Sequence, residues 1–380
     1  MKYQPLYRAL IRLLPAKQPL FCAIKQTAGL NMIDRMQSVL RRHKASGGAL
    51  ALFDARGLTD HYVYGEARSG VPFTAETAFR LASVSKMVTA AGVLAMKERG
   101  LIGLDADADT GLPYTLRHPL APEQPITLRM LLTHTAGIRD GQEYLRGITK
   151  GTAASDILKG DSHTAHLPGT HCEYSNFGVG LAGCVVEACT GLSFQEAMDR
   201  FLFKPLNLKA SFYPQLLSAV LADARRILPP RKKPNFDGAK RQAAKEGDWQ
   251  YPDSQRHHVL AHGSCCMDVE SLSILGRALM KPDFLMEESL FEMRTPHASL
   301  QNRDPHLRQG LGIFVLKDES LSSSVLYGHQ GMAYGAVQMM FFDPLTNRGI
   351  ISLTTGVSEA RTHILADVNR ALLREWQQND

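Results

Sequence analysis

The sequence predicts an α+β fold of α/β-sandwich type: an antiparallel sheet built from both ends of the chain and flanked by terminal helices, with an all-helical domain inserted between them. Three observations lead there. Strand-like runs cluster towards the two termini, helical patterns with long polar loops fill the middle, and Gly, Pro and Asn separate the late strand runs as they do in antiparallel hairpins.

Over residues 3–14, Leu6, Leu10, Leu13 and Leu14 fall on one helical face with Arg8 and Arg12 elsewhere. Packed surface helices and membrane-surface anchors share that pattern, and base rates favour packing. A helix over 32–44 leads into a strand at 47–53, and after the Ala55-Arg-Gly57 turn a second run at 61–65 completes a hairpin. A largely apolar helix opens at Ala82-Ser83 and ends near Gly100. From 105 to 260 the helical stretches are 128–133, 177–190 and 193–203, and strand signals are scarce. A helix over 268–280 then precedes strand runs at 311–316, 323–327, 336–342 and 349–355, and a helix over 358–377 closes the chain. The implied division is an N-terminal extension (1–30), a discontinuous sheet domain (31–104 and 261–380) and the inserted helical domain (105–260). The basic, Pro-containing stretch 228–249 reads as a mobile surface loop.

Composition narrows the function classes. With 44% hydrophobic and 21% charged residues in 380, the chain has the makeup of a soluble globular protein. The net charge of +6 is mild, and much of the excess lies between Arg225 and Lys245, which argues against nucleic acid as a partner. Arg8, Arg12, Lys17 and Lys25 break every apolar run in the first thirty residues, so the expectation is a cytoplasmic protein without an export signal. No run approaches the roughly 18 to 20 apolar residues of a transmembrane helix. Cys22, Cys172, Cys184, Cys189, Cys265 and Cys266 are too few for a disulfide framework and are expected as reduced thiols.

The chemistry centres on Phe79-Arg-Leu-Ala-Ser-Val-Ser-Lys86. A serine hydroxyl needs a base to take its proton, and on a helix a residue three positions on shares its face, so Lys86 can reach Ser83. Burial beneath Leu81, Met87 and Val88 would lower the lysine pKa towards neutrality. A helix start also leaves backbone N–H groups free, among them that of Ser83, to hold a developing oxyanion. Two further segments accompany the pair: Tyr174-Ser-Asn176 before a Gly-rich helix, and His329-Gln-Gly331 at the end of one strand run and before another.

Ser-x-x-Lys, Tyr-Ser-Asn and a basic residue-x-Gly, in that order, resemble the penicillin-recognising serine hydrolases. The chain looks most like their class C β-lactamase branch, which includes D-alanyl-D-alanine carboxypeptidases, D-aminopeptidases and esterases. Leu131-Leu-Thr-His-Thr-Ala-Gly-Ile138, Pro168-Gly169 and Gly263-Ser-Cys-Cys-Met-Asp-Val-Glu-Ser-Leu272 resemble segments flanking that branch's active site, so the likeness spans about residues 35 to 375. It implies a β-lactamase/transpeptidase-like fold in which Ser83 is acylated, Lys86 shuttles its proton and Tyr174 serves as general acid or base to the leaving group. Asn176 would orient Lys86 and the substrate, and His329 would offer a donor or positive charge. Gly331 would let the substrate backbone approach, and the N–H of Met332 would be the second oxyanion donor. The substrate would be a small molecule or short peptide carrying an amide or ester, and no cofactor or metal is implied. Many relatives have Lys at the position of His329, and a neutral imidazole holds a substrate carboxylate less strongly. With the expected cytoplasmic location, this shifts the expectation from β-lactams towards an intracellular peptide, wall-turnover fragment or ester.

Rival readings are weaker. Gly178-Val-Gly-Leu-Ala-Gly183 matches a dinucleotide fingerprint with Asp199 downstream, but no apolar strand precedes it, and close helix packing explains those glycines better. His257, His258, His262, Cys265 and Cys266, and more loosely His163, His166, His171 and Cys172, could suggest zinc but lack a ligand spacing. No Gly-x-Ser-x-Gly elbow occurs. The other class of function is a non-catalytic sensor or binding module that keeps the pocket without turnover.

Overall fold

The computed structural model describes residues 4–16, 20–27, 29–227, 231–233, 248–300 and 303–378. Most of the expected 228–249 surface loop lies outside these residues. Among the described residues no single helix is long and apolar enough to cross a membrane.

Nine strands form the main sheet: β1 (Cys22–Lys25), β2 (Gly47–Asp54), β3 (Gly57–Tyr64), β4 (Ala298–Ser299), β5 (Leu307–Gln309), β6 (Phe314–Leu316), β7 (Leu326–Ala333), β8 (Ala336–Asp343) and β9 (Arg348–Thr355). Their order is β1-β3-β2-β9-β8-β7-β6-β5-β4, and every neighbouring pair is antiparallel. The two ends of the chain meet where β2 pairs with β9, from Gly47 opposite Thr355 to Asp54 opposite Arg348.

Both faces of the central strands are covered, so they read as near-continuous apolar runs, with alternate residues serving opposite layers. Leu50, Leu52, Val337, Met339, Phe341 and Ile350 meet the helices Leu30–Arg42 and Asp367–Gln377, whose Val39, Leu40, Leu372 and Trp376 complete that layer. Ala49, Ala51, Phe53, Met340, Phe342 and Ile351 face the helices Ser85–Lys97 and Val269–Met280. Each such large apolar side chain contributes about 1.5–3 kcal/mol when fully buried. The middle of the chain supplies the helices Leu128–Leu132, Gln142–Lys150, Ala154–Leu158, Asn176–Thr190 and Phe194–Met198. Short strands accompany them: Ala210–Ser211 pairs with Cys266–Met267, which pairs in turn with Phe79–Arg80, tying this region to the sheet domain.

Four differences from the sequence expectation bear on the site. β7 carries His329-Gln-Gly331 and runs on to Ala333, beyond the 323–327 run at whose end the motif was expected, and the turn to β8 is Tyr334-Gly335, both at positive φ (56° and 88°), as in a tight two-residue hairpin. The closing helix begins only at Asp367, and residues 358–366 form a loop pinned by Ser358 N–H to His43 O, Ile364 N–H to Asp304 Oδ2 and Ala366 N–H to Gln330 Oε1. The region expected to be a plain extension adds strand β1 to the sheet. Finally, the helix Gln4–Leu13 packs through Tyr7 and Ile11, while Leu6, Leu10 and Leu13 point outwards.

Candidate active site

The backbone beside Ser83 is held in an unusual shape. Ala82 takes φ +48°, a left-handed conformation that side-chain-bearing residues rarely adopt, and starts a 3-10 turn, Ala82–Val84, that leads into the Ser85–Lys97 helix. Leu81 N–H to Cys265 O (2.8 Å) and Cys265 N–H to Ser85 Oγ (3.1 Å) clamp both sides of it. Ser83 is left half-buried between buried neighbours and opens into a cavity of about 680 Å³.

Lys86 comes up beneath Ser83, completely buried. Its Nζ lies 3.1 Å from Ser83 Oγ, 2.7 Å from Asn176 Oδ1 and 2.9 Å from the His262 carbonyl oxygen. Burial lowers its pKa from 10.5 to about 7, against an opposing pull from the Asp140 charge. A neutral amine has two N–H bonds and one lone pair. The two carbonyl oxygens can only accept, so they take the N–H bonds and leave the lone pair for the Ser83 hydroxyl.

Tyr174 and Asn176 arrive together because Ser175 caps the Asn176–Thr190 helix, its Oγ accepting from Gly178 N–H at 3.0 Å. The Tyr174 ring lies 4.3 Å from that of His134, tilted by 38°, and its centre is 5.0 Å from Lys86 Nζ. Its hydroxyl is hydrogen-bonded to Ser83, and burial holds its pKa well above the ordinary value, so it keeps its proton at neutral pH. Arg303 and Arg361 both pull the other way and ease release of that proton.

β7 forms the opposite wall. A Cβ on Gly331 would sit 2.2 Å from Leu81 O and 2.8 Å from Ser83 N, so only glycine lets the strand pass this close to the Ser83 backbone. The close approach that Gly331 permits is therefore that of the Leu81–Ser83 main chain, where the sequence had suggested the substrate. Met332, next along β7, lines the cavity. His329 lies where the motif order puts it but does not provide a positive charge. It is 1% exposed, stacks at 4.0 Å on Phe314, and burial, with Lys86 nearby, lowers its pKa to about 3. Its Nδ1 donates to Gln330 O at 2.6 Å, so in the neutral ring Nε2 is a bare acceptor, without a partner among the described residues.

Other contributors escaped the sequence reading. Asp140 accepts from Asn176 Nδ2 (2.7 Å), Ser175 Oγ (2.9 Å) and Phe177 N–H (2.9 Å), fixing the whole Tyr174–Asn176 turn. It sits two residues beyond the Leu131–Ile138 segment but serves the helix that starts at Asn176, while the nearby Gln142 helix is capped by Asp161, so no local signal marked it. His134 accepts from Ser175 N–H through Nδ1. His262, weighed as a zinc candidate, serves through its carbonyl, while its ring meets Tyr144 Oη at 3.1 Å. The other imidazoles of that group find separate partners, His257 with Glu187 and Tyr213, His258 with Thr152 O. Among the described residues no three potential ligands converge on a metal position. The dinucleotide-like glycines serve packing: a Cβ on Gly180 would fall 1.8 Å from His258 O, and one on Gly183 3.0 Å from Ala261 Cβ.

The chain is 30% identical over 187 residues to Esterase EstB of Burkholderia gladioli, a match covering 45% of each chain, so it spans under half of that relative's length. It is 29% identical over 337 residues to Lovastatin esterase of Penicillium rubens, covering 78% of this chain and 81% of the other. The solved structure of EstCE1, described as a hydrolase with promiscuous acyltransferase activity, superposes with a TM-score of 0.73 at 21% identity, covering 90% of this chain and 98% of that one, which shows a shared fold. The family model described as Beta-lactamase matches residues 32–375, and with that match across nearly the whole chain the protein belongs to the Beta-lactamase family.

Proposed function

We propose that this chain is a serine hydrolase that acylates Ser83 with a carboxylic ester or related amide and passes the acyl group to water, neutral esters being the preferred class. The observation that carries this is the set of three contacts on Lys86 Nζ, which leave its lone pair facing Ser83 Oγ. Lys86 takes the hydroxyl proton as Ser83 Oγ attacks the substrate carbonyl carbon. The tetrahedral oxyanion is held by the N–H groups of Ser83 and Met332. Tyr174 gives its proton to the departing alcohol or amine as the carbonyl re-forms and is reprotonated from Lys86. Water, deprotonated along the same path, then attacks the acyl-enzyme and frees Ser83.

The neutral ester is favoured by the uncharged His329 in the position where a cation would hold a substrate carboxylate, and by the two esterases among the relatives. Amides, including D-amino-acid peptides and β-lactams, are the competing class. The experiment is to incubate the protein with p-nitrophenyl butyrate, a D-alanyl anilide and a chromogenic cephalosporin, compare kcat/KM, and locate the trapped acyl group by mass spectrometry. The expected result is a Ser83 adduct and the highest kcat/KM on the ester. Full ester turnover by Ser83→Ala, or an adduct elsewhere, would sink the proposal.

A further inference from the structure

The helix Gln4–Leu13 lies ahead of the family match, which begins at residue 32, yet it forms part of the candidate active site. Gln4 and Arg8 line the same cavity as Ser83 and Tyr174. Gln4 Oε1 accepts from Arg361 N–H, the Tyr7 hydroxyl accepts from Glu359 N–H, and Arg8 pairs with Asp367 and Thr362. The helix thus braces the 358–366 loop, which forms the cavity wall.

Its outer side is not accounted for by that role. Leu6, Leu10 and Leu13 recur four and three residues apart and are 60%, 45% and 83% exposed, and Leu20 just beyond is 79% exposed. On the helix's other shoulder lies a groove of about 690 Å³ lined by Ile11, Arg12, Arg41, Arg42 and Lys44. The acid in this groove, Asp367, is engaged by Arg8, and His43 is held neutral by burial, its pKa lowered to about 4. Neither Arg12 nor Arg42 has a side-chain partner among the described residues. The sequence extends the charge: the first 33 residues hold Lys2, Arg8, Arg12, Lys17 and Lys25 and no Asp or Glu.

We infer that this helix docks the protein on an anionic lipid surface, with Leu6, Leu10 and Leu13 entering the acyl boundary and the Arg12–Arg42 groove meeting headgroup phosphates. Exposed leucines flanked by unpaired cations are what an interfacial helix requires. Its apolar face sinks about 5–10 Å into the interface, and basic residues near an anionic surface add electrostatic attraction. A second copy of the chain fits less well, because an isologous contact would set this basic groove against its own like. Because Gln4 and Arg8 of the same helix line the cavity, docking by this helix sets the cavity beside the lipid surface, so the substrate class becomes an ester dissolved in, or belonging to, the bilayer. That last step rests on the ester reading, whereas the docking itself does not.

The test is cosedimentation of the full chain with vesicles of phosphatidylglycerol and phosphatidylcholine (1:1) or of phosphatidylcholine alone. It is run for the wild type, for Leu6→Gln/Leu10→Gln/Leu13→Gln and for Arg12→Glu/Arg42→Glu. All altered side chains are outside the cavity lining, so turnover of a water-soluble ester should be unchanged. The expected result is salt-sensitive binding to the anionic vesicles alone, weakened at least tenfold in both variants, with loss of activity on a vesicle-embedded ester. Wild type remaining in the supernatant, a triple leucine variant that binds like wild type, or a concentration-dependent dimer that the leucine variant dissolves would each overturn the inference. If vesicles are bound but neither ester is cleaved, the ester reading fails and the docking stands.

Discussion

Asn176 is gripped from two sides: its Oδ1 accepts from Lys86 Nζ and its Nδ2 donates to Asp140 Oδ2, both at 2.7 Å. The carboxylate thereby fixes which end of the amide faces the lysine and so which direction the lysine lone pair takes. Asp140→Asn retains the shape but removes the charge that raises the Lys86 pKa. Asp140 is thus a positioning residue, and its loss should lower kcat about 10–100-fold, the range typical of outer partners that orient a reacting group. In the proposed mechanism Lys86 acts as a neutral amine, so the rise of kcat/KM with pH, expected near pH 7 in the wild type, should shift to lower pH. A purely structural role would lower the plateau and leave that midpoint in place.

Lys86 also ties stability to pH. Its folded pKa of about 7 lies below the unfolded 10.5, so between those values the unfolded chain binds more protons and stability rises with pH. Below pH 7 the full penalty of burying a charge applies, about 1.4 kcal/mol per pKa unit. Lys86→Met removes this term and leaves Asn176 Oδ1 and His262 O without their donor, a cost that does not depend on pH. Relative to wild type, the variant's Tm should therefore be highest at pH 6 and fall steadily towards pH 10, with catalysis lost throughout. A constant offset in Tm across that range would show that Lys86 does not titrate within the fold.

What the sequence made legible, and what it hid, follows from the distance over which each signal acts. Ser83 and Lys86 share one helical start, and Tyr174 and Asn176 share one cap, so short spacings exposed them. The apolar runs of β8 and β9 were equally plain, because both of their faces are buried. Asp140 and the His262 carbonyl act across 36 and 176 residues of sequence, and no local pattern marks a main-chain oxygen as a ligand for lysine. His329 was found by motif, but its charge state depends on Phe314 and the depth of β7, which only the packing shows. Gly331 read as room for the substrate because a missing side chain does not show what fills its place: a Cβ there would fall 2.2 Å from Leu81 O.

Gly331→Ala tests that last contact. The added methyl would collide with two backbone atoms, Leu81 O and Ser83 N, which cannot swing aside as a flexible side chain can. Either β7 or the Ala82–Val84 turn must shift, and misplacing a nucleophile by about 1 Å costs on the order of 100-fold in rate. The acylation rate of Ser83 by an activated ester should fall by at least that factor, while Tm falls by only a few degrees, since neighbouring strands can absorb part of the strain. Near-normal acylation would mean that the strand and the nucleophile are less tightly juxtaposed than the Gly331 geometry requires.

His329→Lys asks whether charge at this position sets substrate choice. The new ammonium would stand at a site 1% exposed and close to Lys86, so both lysines would be pushed towards their neutral forms, and Tm should fall most at acid pH, where protonation is forced. The kcat/KM profile should move acidward as the Lys86 pKa drops further. A substrate bearing its own carboxylate supplies the missing counter-charge and can stabilise the new cation, which a neutral ester cannot do. The ratio of kcat/KM for a carboxylate-bearing β-lactam to that for p-nitrophenyl butyrate should therefore rise about tenfold or more, measured above pH 7 where the variant is best folded. An unchanged ratio would place the discrimination elsewhere in the cavity, with Arg303 and Arg361, which flank Tyr174, the next residues to alter.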